Sequence, residues 1–343
     1  MRATRVPDSF TLDRRAFLGA AALAVAATEL GLGPSESSSS AGSTHITFTS
    51  LKQINAGVLN VGYAEAGPRN GRAVILLHGW PYDIYSYVGV VPLLAARGYR
   101  VIVPYLRGYG TTRFLSSTTF RNGEQVAFAL DTIALMDALG IDRAIVAGYD
   151  WGSRTADILA ALWPQRFKAL VAVSGYLITN LAANQKPLPP RAELGWWYQY
   201  YFTTERGRIG YGENRHDFNK LIWQLASPKW HFSDVTYDRT AASFENPDHV
   251  AIVIHNYRWR LGLAKGDPQN EALEAKLQQY PVIAVPTITI GSDFDGANAN
   301  GAAYRKLFSG KYEHRILPGI GHDVPQEAPQ AFAKAVADAD AFA

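Results

Sequence analysis

Short apolar runs separated by longer amphipathic segments dominate the first half of the chain. The runs lie at residues 73–77, 101–103, 145–147 and 170–173. Runs of this length without polar alternation are typical of strands that are buried on both faces of a sheet. Between them, residues 125–139 carry apolar side chains at helical spacing. Buried strands that alternate with helices require crossover connections, so this region predicts a mostly parallel sheet.

Further strands are predicted on both sides of this region. They lie at residues 45–55, 58–66, 286–290 and 312–317. The chain then ends in a segment, residues 326–342, whose apolar positions predict an amphipathic closing helix without evident chemistry. The strand pattern is therefore interrupted once, for about a hundred residues, and resumes near the C-terminus.

The interruption, residues 176–280, is rich in Trp and Tyr. Most of these aromatic side chains are expected to be buried where this segment packs against the sheet. The fold class predicted from the whole pattern is α/β, with helices on both faces of the sheet and one long insertion.

Composition narrows the function without identifying it. The chain has 343 residues, 48% of them hydrophobic and 18% charged, with a formal net charge of +3 and no Cys. These values indicate a globular protein with a sizeable core. The chain has no run of Lys and Arg that would bind the phosphates of a nucleic-acid backbone, so nucleic acid is excluded as an expected partner. Without Cys, disulfides, thiolate metal sites and a cysteine nucleophile are also excluded.

Residues 1–44 resemble an export signal followed by a linker. The pair Arg14-Arg15 precedes Phe17-Leu18 and a weakly apolar run from Gly19 to Thr28, which is the order of a twin-arginine signal. Residues 35–43 are Ser-rich and predict a flexible tether. We therefore expect a periplasmic or secreted protein that meets no membrane beyond the export machinery. The alternative interpretation is an Ala-rich N-terminal helix.

One turn carries a candidate nucleophile. Gly148-Tyr149-Asp150-Trp151-Gly152 lies between the apolar run at 145–147 and an Ala- and Leu-rich helical segment at 155–163. A strand that turns sharply into a helix strains its central residue and requires small neighbours, which is the geometry of a nucleophile elbow. Asp150 stands where a hydrolase usually has Ser. The alternative for this pattern alone is a solvated loop carboxylate.

Two other loops follow predicted strands, and ligand sites gather at the carboxyl ends of parallel strands. They are His78-Gly79-Trp80-Pro81 and Arg107-Gly108-Tyr109-Gly110. Together with the turn at Asp150, these motifs resemble the α/β-hydrolase fold, in the branch of epoxide hydrolases and haloalkane dehalogenases. The resemblance covers residues 45–342. It implies a core of residues 45–175 and 281–343, with residues 176–280 as a helical cap over the site.

The resemblance implies roles for the first loop and the elbow. The backbone N–H groups of Trp80 and Trp151 would form an oxyanion hole. His78 is interpreted as an imidazole that braces its loop, since a better base is found near the C-terminus.

The same resemblance implies a base and an acid. His322 follows the last predicted strand in the Gly-flanked loop Pro318-Gly319-Ile320-Gly321-His322, where this fold keeps its base. Asp295 directly precedes Gly296 after the strand at 286–290, and family spacing favours it as the acid that orients His322. Asp293 stays open as the alternative.

Two cap tyrosines match epoxide hydrolase segments. Tyr198 begins Tyr-Gln-Tyr-Tyr-Phe, and Tyr257 lies in His-Asn-Tyr-Arg. Opening an epoxide places negative charge on an oxygen that is a poor leaving group. Two phenols can share that charge and donate a proton to the oxygen. The alternative for each tyrosine is a structural role in the cap.

The predicted function is hydrolysis of a small apolar epoxide to a vicinal diol through an ester on Asp150, with no cofactor and no metal. A haloalkane or haloacid dehalogenase with the same triad is the alternative, and Arg154 could grip a haloacid carboxylate. Trp80 and Trp151 depart from the residues that those families carry at these positions.

A serine esterase is disfavoured because the elbow carries Asp, and a catalytically silent binding protein is the alternative from another class. The sequence does not indicate an oligomeric state.

Overall fold

An open sheet of nine strands runs through the part of the chain that the structure describes. This computed structural model describes residues 48, 50–295 and 300–342, so the predicted export signal and linker lie outside the described residues. The strands are β1 (Leu51–Ala56), β2 (Leu59–Ala66), β3 (Arg72–Leu77), β4 (Tyr99–Pro104), β5 (Arg113–Phe114), β6 (Ala144–Gly148), β7 (Phe167–Val173), β8 (Thr287–Ser292) and β9 (Tyr312–Leu317).

The strand order is β1-β2-β4-β3-β6-β7-β8-β9, with β5 paired to β2. Strands β1 and β2 are antiparallel to their neighbours, whereas every pair from β4 to β9 is parallel. The predicted α/β class with a mostly parallel sheet is confirmed. Strands β3, β4, β6 and β7 are the apolar runs of the sequence, and their central residues are buried.

Outside the long insertion, five α-helices of the described residues accompany the sheet. They are α1 (Val90–Ala95), α2 (Gln125–Ala138), α3 (Trp151–Leu162), α11 (Val324–Glu327) and α12 (Pro329–Ala341). Helix α3 begins directly after Asp150, four residues earlier than the apolar pattern predicts. The expected single closing helix is wrong in one respect, because it is divided between α11 and α12. A residue before Pro is disfavoured in helical conformation, and Ala328, which precedes Pro329, has φ −138°.

Helices replace strands in the insertion. Between β7 and β8 lie α4 (Leu181–Asn184), α5 (Pro190–Gly195), α6 (Trp197–Thr203), α7 (Glu205–Ala226), α8 (Asp234–Ala241), α9 (His249–Arg260) and α10 (Glu271–Leu277). We call residues 176–280 the helical segment. Among the described residues, no helix is both long enough and apolar enough to cross a membrane.

The helical segment packs on the loop that follows β3. The indole Nε1 of Trp223 in α7 donates a hydrogen bond of 2.7 Å to the Pro81 carbonyl oxygen. The hydroxyl of Thr240 in α8 donates one of 3.0 Å to the Asp83 carboxylate. Pro81 and Asp83 lie in the loop at the carboxyl end of β3, so the helical segment covers the edge where ligand sites of such sheets form.

Candidate active site

Asp150 lies in a strained turn between β6 and α3. Its backbone has φ 53° and ψ −124°, in a region that is costly for a residue with a side chain. Only small neighbours permit the turn, because a Cβ on Gly148 would overlap the Gly152 backbone and a Cβ on Gly152 would overlap the Leu77 carbonyl. The strand–turn–helix geometry predicted for the elbow is therefore present.

The two carboxylate oxygens of Asp150 have different partners. Oδ1 accepts a 2.8 Å hydrogen bond from the Trp80 backbone N–H, while Oδ2 lies 3.3 Å from Nε2 of His322. Burial would raise the pKa of Asp150, but the hydrogen bond and charge of His322, the Arg154 charge and the Trp80 N–H outweigh it and hold this pKa below its usual value. Asp150 is therefore ionised at neutral pH.

Of the two predicted oxyanion-hole groups, one contacts the carboxylate. Among the described residues, Trp80 alone donates a backbone N–H hydrogen bond to the Asp150 carboxylate. Trp151 begins helix α3 and is buried, but Asp150 forms no side-chain cap hydrogen bond to that helix. The indole Nε1 of Trp151 is buried and has no hydrogen-bond partner among the described residues.

His322 is held at the end of β9 by the helical segment. Its backbone N–H donates a 2.8 Å hydrogen bond to Oγ of Ser227, just after α7, and that hydroxyl donates to Glu327 at 2.6 Å. The imidazole packs against Phe294, with ring centroids 4.1 Å apart. The sequence motifs did not indicate Ser227, because it lies 95 residues from His322 along the chain.

The structure places Asp295 near His322 without a hydrogen bond between them. Its Oδ2 accepts from the Ser292 backbone N–H. Oδ1 of Asp295 and Nδ1 of His322 are both buried without a hydrogen-bond partner among the described residues. Burial raises the pKa of Asp295, while Ser174, Ser292 and the nearby His322 act in the opposite direction.

Asp293 lies in a different environment. Its carboxylate pairs with Lys229 at 2.6 Å and accepts from the Gly319 backbone N–H at 3.0 Å. The side chain is 40% exposed. The hydrogen bond to Lys229 is the main cause that lowers the pKa of Asp293. Its partners turn it toward solvent, so the geometry favours Asp295 as the acid beside His322.

Tyr198 and Tyr257 meet next to Trp80. Their ring centroids are 5.5 Å apart, and each ring packs against the Trp80 indole, at 5.0 and 5.2 Å. Both are buried. Burial raises the pKa of each phenol, and the negative charge of Asp150 raises it further. The two hydroxyls therefore stay protonated and can donate hydrogen bonds.

A cavity of about 300 Å³ opens above these groups. Its lining is mainly apolar and consists of Trp80, Asp150, Arg191, Leu194, Gly195, Trp197, Tyr198, Ile222, Leu225, Ala226, Phe294 and His322. Tyr257 is not part of the lining, but it contacts Tyr198 and Trp80, which are. The cavity is large enough for a small organic molecule, and it joins the candidate nucleophile, the imidazole and one of the phenols.

A buried chain of hydrogen bonds fixes the Trp80 indole. Its Nε1 donates to the Tyr211 hydroxyl at 2.9 Å, which lies 2.8 Å from Nε2 of His249. Nδ1 of His249 lies 2.9 Å from the Gly108 carbonyl oxygen. A carbonyl only accepts, so Nδ1 carries the proton and Nε2 accepts from Tyr211. Burial lowers the pKa of His249 to about 3, so the imidazole in this chain of hydrogen bonds is uncharged.

Arg154, which the sequence indicated only as a grip for a haloacid carboxylate, contributes its charge to the site. It lies one helical turn after Asp150, is 7% exposed, and donates from Nε to the Leu177 carbonyl oxygen at 3.0 Å. Burial and the nearby Arg260 lower its pKa to about 9, while Asp150 acts in the opposite direction. Its charge helps to keep Asp150 ionised.

His78 braces two loops. Its Nδ1 lies 3.0 Å from the Gly79 carbonyl oxygen, and its Nε2 accepts from the Leu106 backbone N–H at 3.2 Å. Burial lowers the pKa of His78 to about 4. This neutral imidazole links the loops after β3 and β4. Among the described residues, no group of three or more His, Asp or Glu is arranged to hold a metal ion.

Comparison with known proteins gives a consistent result. The sequence profile of the alpha/beta hydrolase fold matches residues 72–325. The chain is 33% identical to Epoxide hydrolase B of Mycobacterium tuberculosis over 160 residues, which are 43% of this chain and 44% of that protein. It thus spans less than half the length of this curated relative.

Two further similarities extend over more of the chain. AB hydrolase superfamily protein YfhM of Bacillus subtilis is 30% identical over 211 residues, which are 60% of this chain and 71% of that protein. The crystal structure of a candidate epoxide hydrolase from Klebsiella pneumoniae aligns with a TM-score of 0.84 and 60% identity. That alignment covers 86% of this chain and 98% of the Klebsiella chain.

Proposed function

The chain belongs to the α/β-hydrolase fold family, and within it we propose an epoxide hydrolase that converts an apolar epoxide to a vicinal diol. One observation carries the proposal: an ionised, partly buried carboxylate faces an imidazole, while one protonated phenol, Tyr198, lines the same cavity and a second, Tyr257, packs against it. A carboxylate nucleophile suits attack at an epoxide carbon, and phenols suit the oxygen that leaves it. The names of the epoxide hydrolase relatives support the same activity.

In the first proposed step, Oδ2 of Asp150 attacks one epoxide carbon. The C–O bond to that carbon breaks, and the epoxide oxygen takes a proton from Tyr198. Tyr257 shares the negative charge that remains on the Tyr198 phenolate. The product is a hydroxyalkyl ester on Asp150. The backbone hydrogen bond from Trp80 engages Oδ1 and not Oδ2, so Oδ2, which lies beside the His322 imidazole, is the proposed attacking oxygen.

In the second proposed step, His322 removes a proton from water, and the hydroxide attacks Cγ of the ester. The charge that develops on Oδ1 would be held by the Trp80 N–H and the backbone N–H of Trp151. Asp295 would stabilise the protonated imidazole. The ester C–O bond then breaks, and the leaving oxygen, formerly Oδ2, takes the proton from the His322 imidazolium. The remaining proton of the attacking water returns to the Tyr198 phenolate, so the diol leaves and Asp150 is regenerated as a carboxylate with one oxygen from water. No cofactor or metal enters either step.

A dehalogenase would use the same nucleophile but needs N–H donors for the departing halide. The unpartnered Nε1 of Trp151 could supply one. The Nε1 of Trp80, the other indole near Asp150, already donates to Tyr211. Because the Trp80 donor is already occupied, the site suits an epoxide substrate better than an organohalide.

A panel of styrene oxide, haloalkanes and haloacids separates the two candidates. The wild type should form the diol from styrene oxide and release no halide, and Asp150→Asn should form no diol. Asp293→Asn is the matched control, because it removes a nearby carboxylate that faces solvent, and it should retain diol formation. Halide release without diol formation would contradict the epoxide hydrolase and support a dehalogenase.

We also propose export through the twin-arginine route, on the basis of Arg14-Arg15 and the apolar run after them. Replacing both arginines by Lys should leave the protein in the cytosolic fraction of the native host, whereas the wild type should be recovered outside the cytosol. Recovery of the full-length wild type in the cytosol would contradict export.

A further inference from the structure

Strand β9 forms one end of the sheet. Among the described residues it pairs with β8 alone, in a register that places Tyr312 beside Thr287. The Thr287 backbone N–H donates to the Lys311 carbonyl oxygen at 2.8 Å. In a parallel pair, alternate residues of a strand turn both backbone groups to the same neighbour. The odd-numbered residues of β9 therefore face β8, whereas Tyr312 and Ile316 direct their backbone groups to the outer edge.

This edge carries opposite charges two residues apart. Glu313 and Arg315 share one face of β9, where Nε of Arg315 donates to Oε1 of Glu313 at 2.8 Å. On helix α12, Asp338 accepts from Arg315 at 2.6 Å and from Lys334 at 2.5 Å. Charges of one sign on an edge strand repel a second strand. These four groups have no net charge, so they do not exclude a strand whose charges are complementary.

The outer edge also leaves apolar surface uncovered. Ile316 is 52% exposed. It lines a groove of about 480 Å³ together with Leu317 and with Ala331 of α12. An edge strand with unused backbone groups and an exposed β-branched side chain is a template for pairing with another strand.

We propose that a second copy of this chain covers the edge, with the two β9 strands antiparallel about a twofold axis at residue 314. Each Tyr312 then lies opposite Ile316 of the other copy. Both residues turn their backbone groups to the shared edge, so they can exchange hydrogen bonds. An aromatic side chain opposite a β-branched one is also a favourable cross-strand pair. Because the contact is isologous, it closes on itself and yields a dimer.

The charges select this register over its neighbours. With the axis at residue 314, Glu313 of each copy lies opposite Arg315 of the other, at positions without backbone hydrogen bonds, where side chains come closest. An axis at residue 313 would place the two Glu313 side chains opposite each other, and an axis at residue 315 would do the same to Arg315. Registers between these set an outward-facing residue against an inward-facing one and lose the hydrogen bonds. Of these registers, the one at residue 314 satisfies both the backbone and the charges.

Sedimentation equilibrium of the full chain tests the proposal. The wild type should be a dimer at about 50 µM and should dissociate on dilution to about 0.5 µM, as expected for a small interface. Glu313→Arg and Arg315→Glu should each be monomers at the higher concentration, since each places like charges opposite each other. An equimolar mixture of these two variants should dimerise again, because every cross-strand pair of charges is then of opposite sign.

Ile316→Pro tests the backbone pairing by itself. Proline has no N–H, but the N–H of Ile316 points away from β8, so the sheet within one copy keeps its hydrogen bonds. This variant should retain the wild-type circular dichroism spectrum and be a monomer at the higher concentration. Ile316→Thr keeps the N–H and a β-branched side chain, and it should remain a dimer.

Glu205→Arg is the control for charge reversal, because it changes an exposed carboxylate that pairs with Arg208 on α7, outside β9 and α12. It should leave the dimer unchanged. A wild type that stays monomeric at the higher concentration would overturn the proposal. A dimer that persists in both charge-reversal variants, or an equimolar mixture of them that stays monomeric, would also overturn it.

Discussion

At the scale of single residues, the site depends on groups whose environments push their pKa values apart. Asp150 is partly buried, yet His322, Arg154 and the Trp80 N–H keep its pKa low. Tyr198 and Tyr257 lie close to the same carboxylate, and their pKa values are raised. A charged nucleophile thus stands beside two neutral proton donors, which is the separation that acid–base catalysis at neutral pH requires.

Replacing Tyr198 or Tyr257 by Phe removes a proton donor while keeping the ring that packs on Trp80. Each variant should slow formation of the ester by about 10²-fold or more, since general acids contribute this much. Stopped-flow tryptophan fluorescence measures the step. Tyr280→Phe is the control, because that tyrosine is 42% exposed and is not part of the cavity lining. Wild-type rates in both cap variants would remove these tyrosines from the mechanism.

At the scale of elements, the site is assembled by loops at the carboxyl ends of four parallel strands. Trp80 follows β3, Asp150 follows β6, Asp295 follows β8 and His322 follows β9. Their proximity results from strand order, since β3 neighbours β6 and β8 neighbours β9. The sequence predicts this arrangement well, because buried parallel strands are recognisable as apolar runs and the loops carry compact motifs.

The buried chain of hydrogen bonds that fixes the Trp80 indole could not be predicted in the same way. Tyr211 lies 131 residues from Trp80 and 38 residues from His249 along the chain. Neither lies in a motif, and the aromatic-rich segment offers many equivalent tyrosines. Which of them reaches the indole depends on how α7 and α9 pack, and this is decided by tertiary contacts that no local pattern encodes.

The buried His249 makes stability depend on pH in a definite direction. Its pKa is about 3 in the folded protein and about 6.5 in an unfolded chain. Below about pH 6.5 the unfolded state binds a proton that the folded state does not, so this histidine's contribution to stability falls as the pH falls. The free-energy advantage of wild type over His249→Gln should shrink by about 2 kcal/mol between about pH 7.5 and about pH 5.

Urea unfolding of both proteins at the two pH values measures this change. The other buried groups with shifted pKa values, including His78 and Asp83, are present in both proteins and cancel in the difference. An advantage that stays constant or grows on acidification would mean that His249 is not held neutral by the fold.

At the scale of the whole molecule, the helical segment completes the site that the sheet begins. It supplies Tyr198 and Tyr257, and through Ser227 it fixes the backbone of His322. The sequence predicted the insertion and the two tyrosines from their resemblance to known segments, whereas the contact from Ser227 depends on how α7 ends against the loop after β9. Motifs therefore locate the reacting groups, and long-range packing determines how they are held.

The central claim is that a carboxylate oxygen of Asp150 becomes bonded to the substrate. A single turnover in water enriched in ¹⁸O, with enzyme in excess over an epoxide, tests it most directly. Attack by Asp150 predicts a diol that carries ordinary oxygen in its new hydroxyl and a peptide containing Asp150 that gains one heavy oxygen. A diol labelled with ¹⁸O in that first turnover, with Asp150 unlabelled, would show that water attacks the epoxide directly and would contradict the ester.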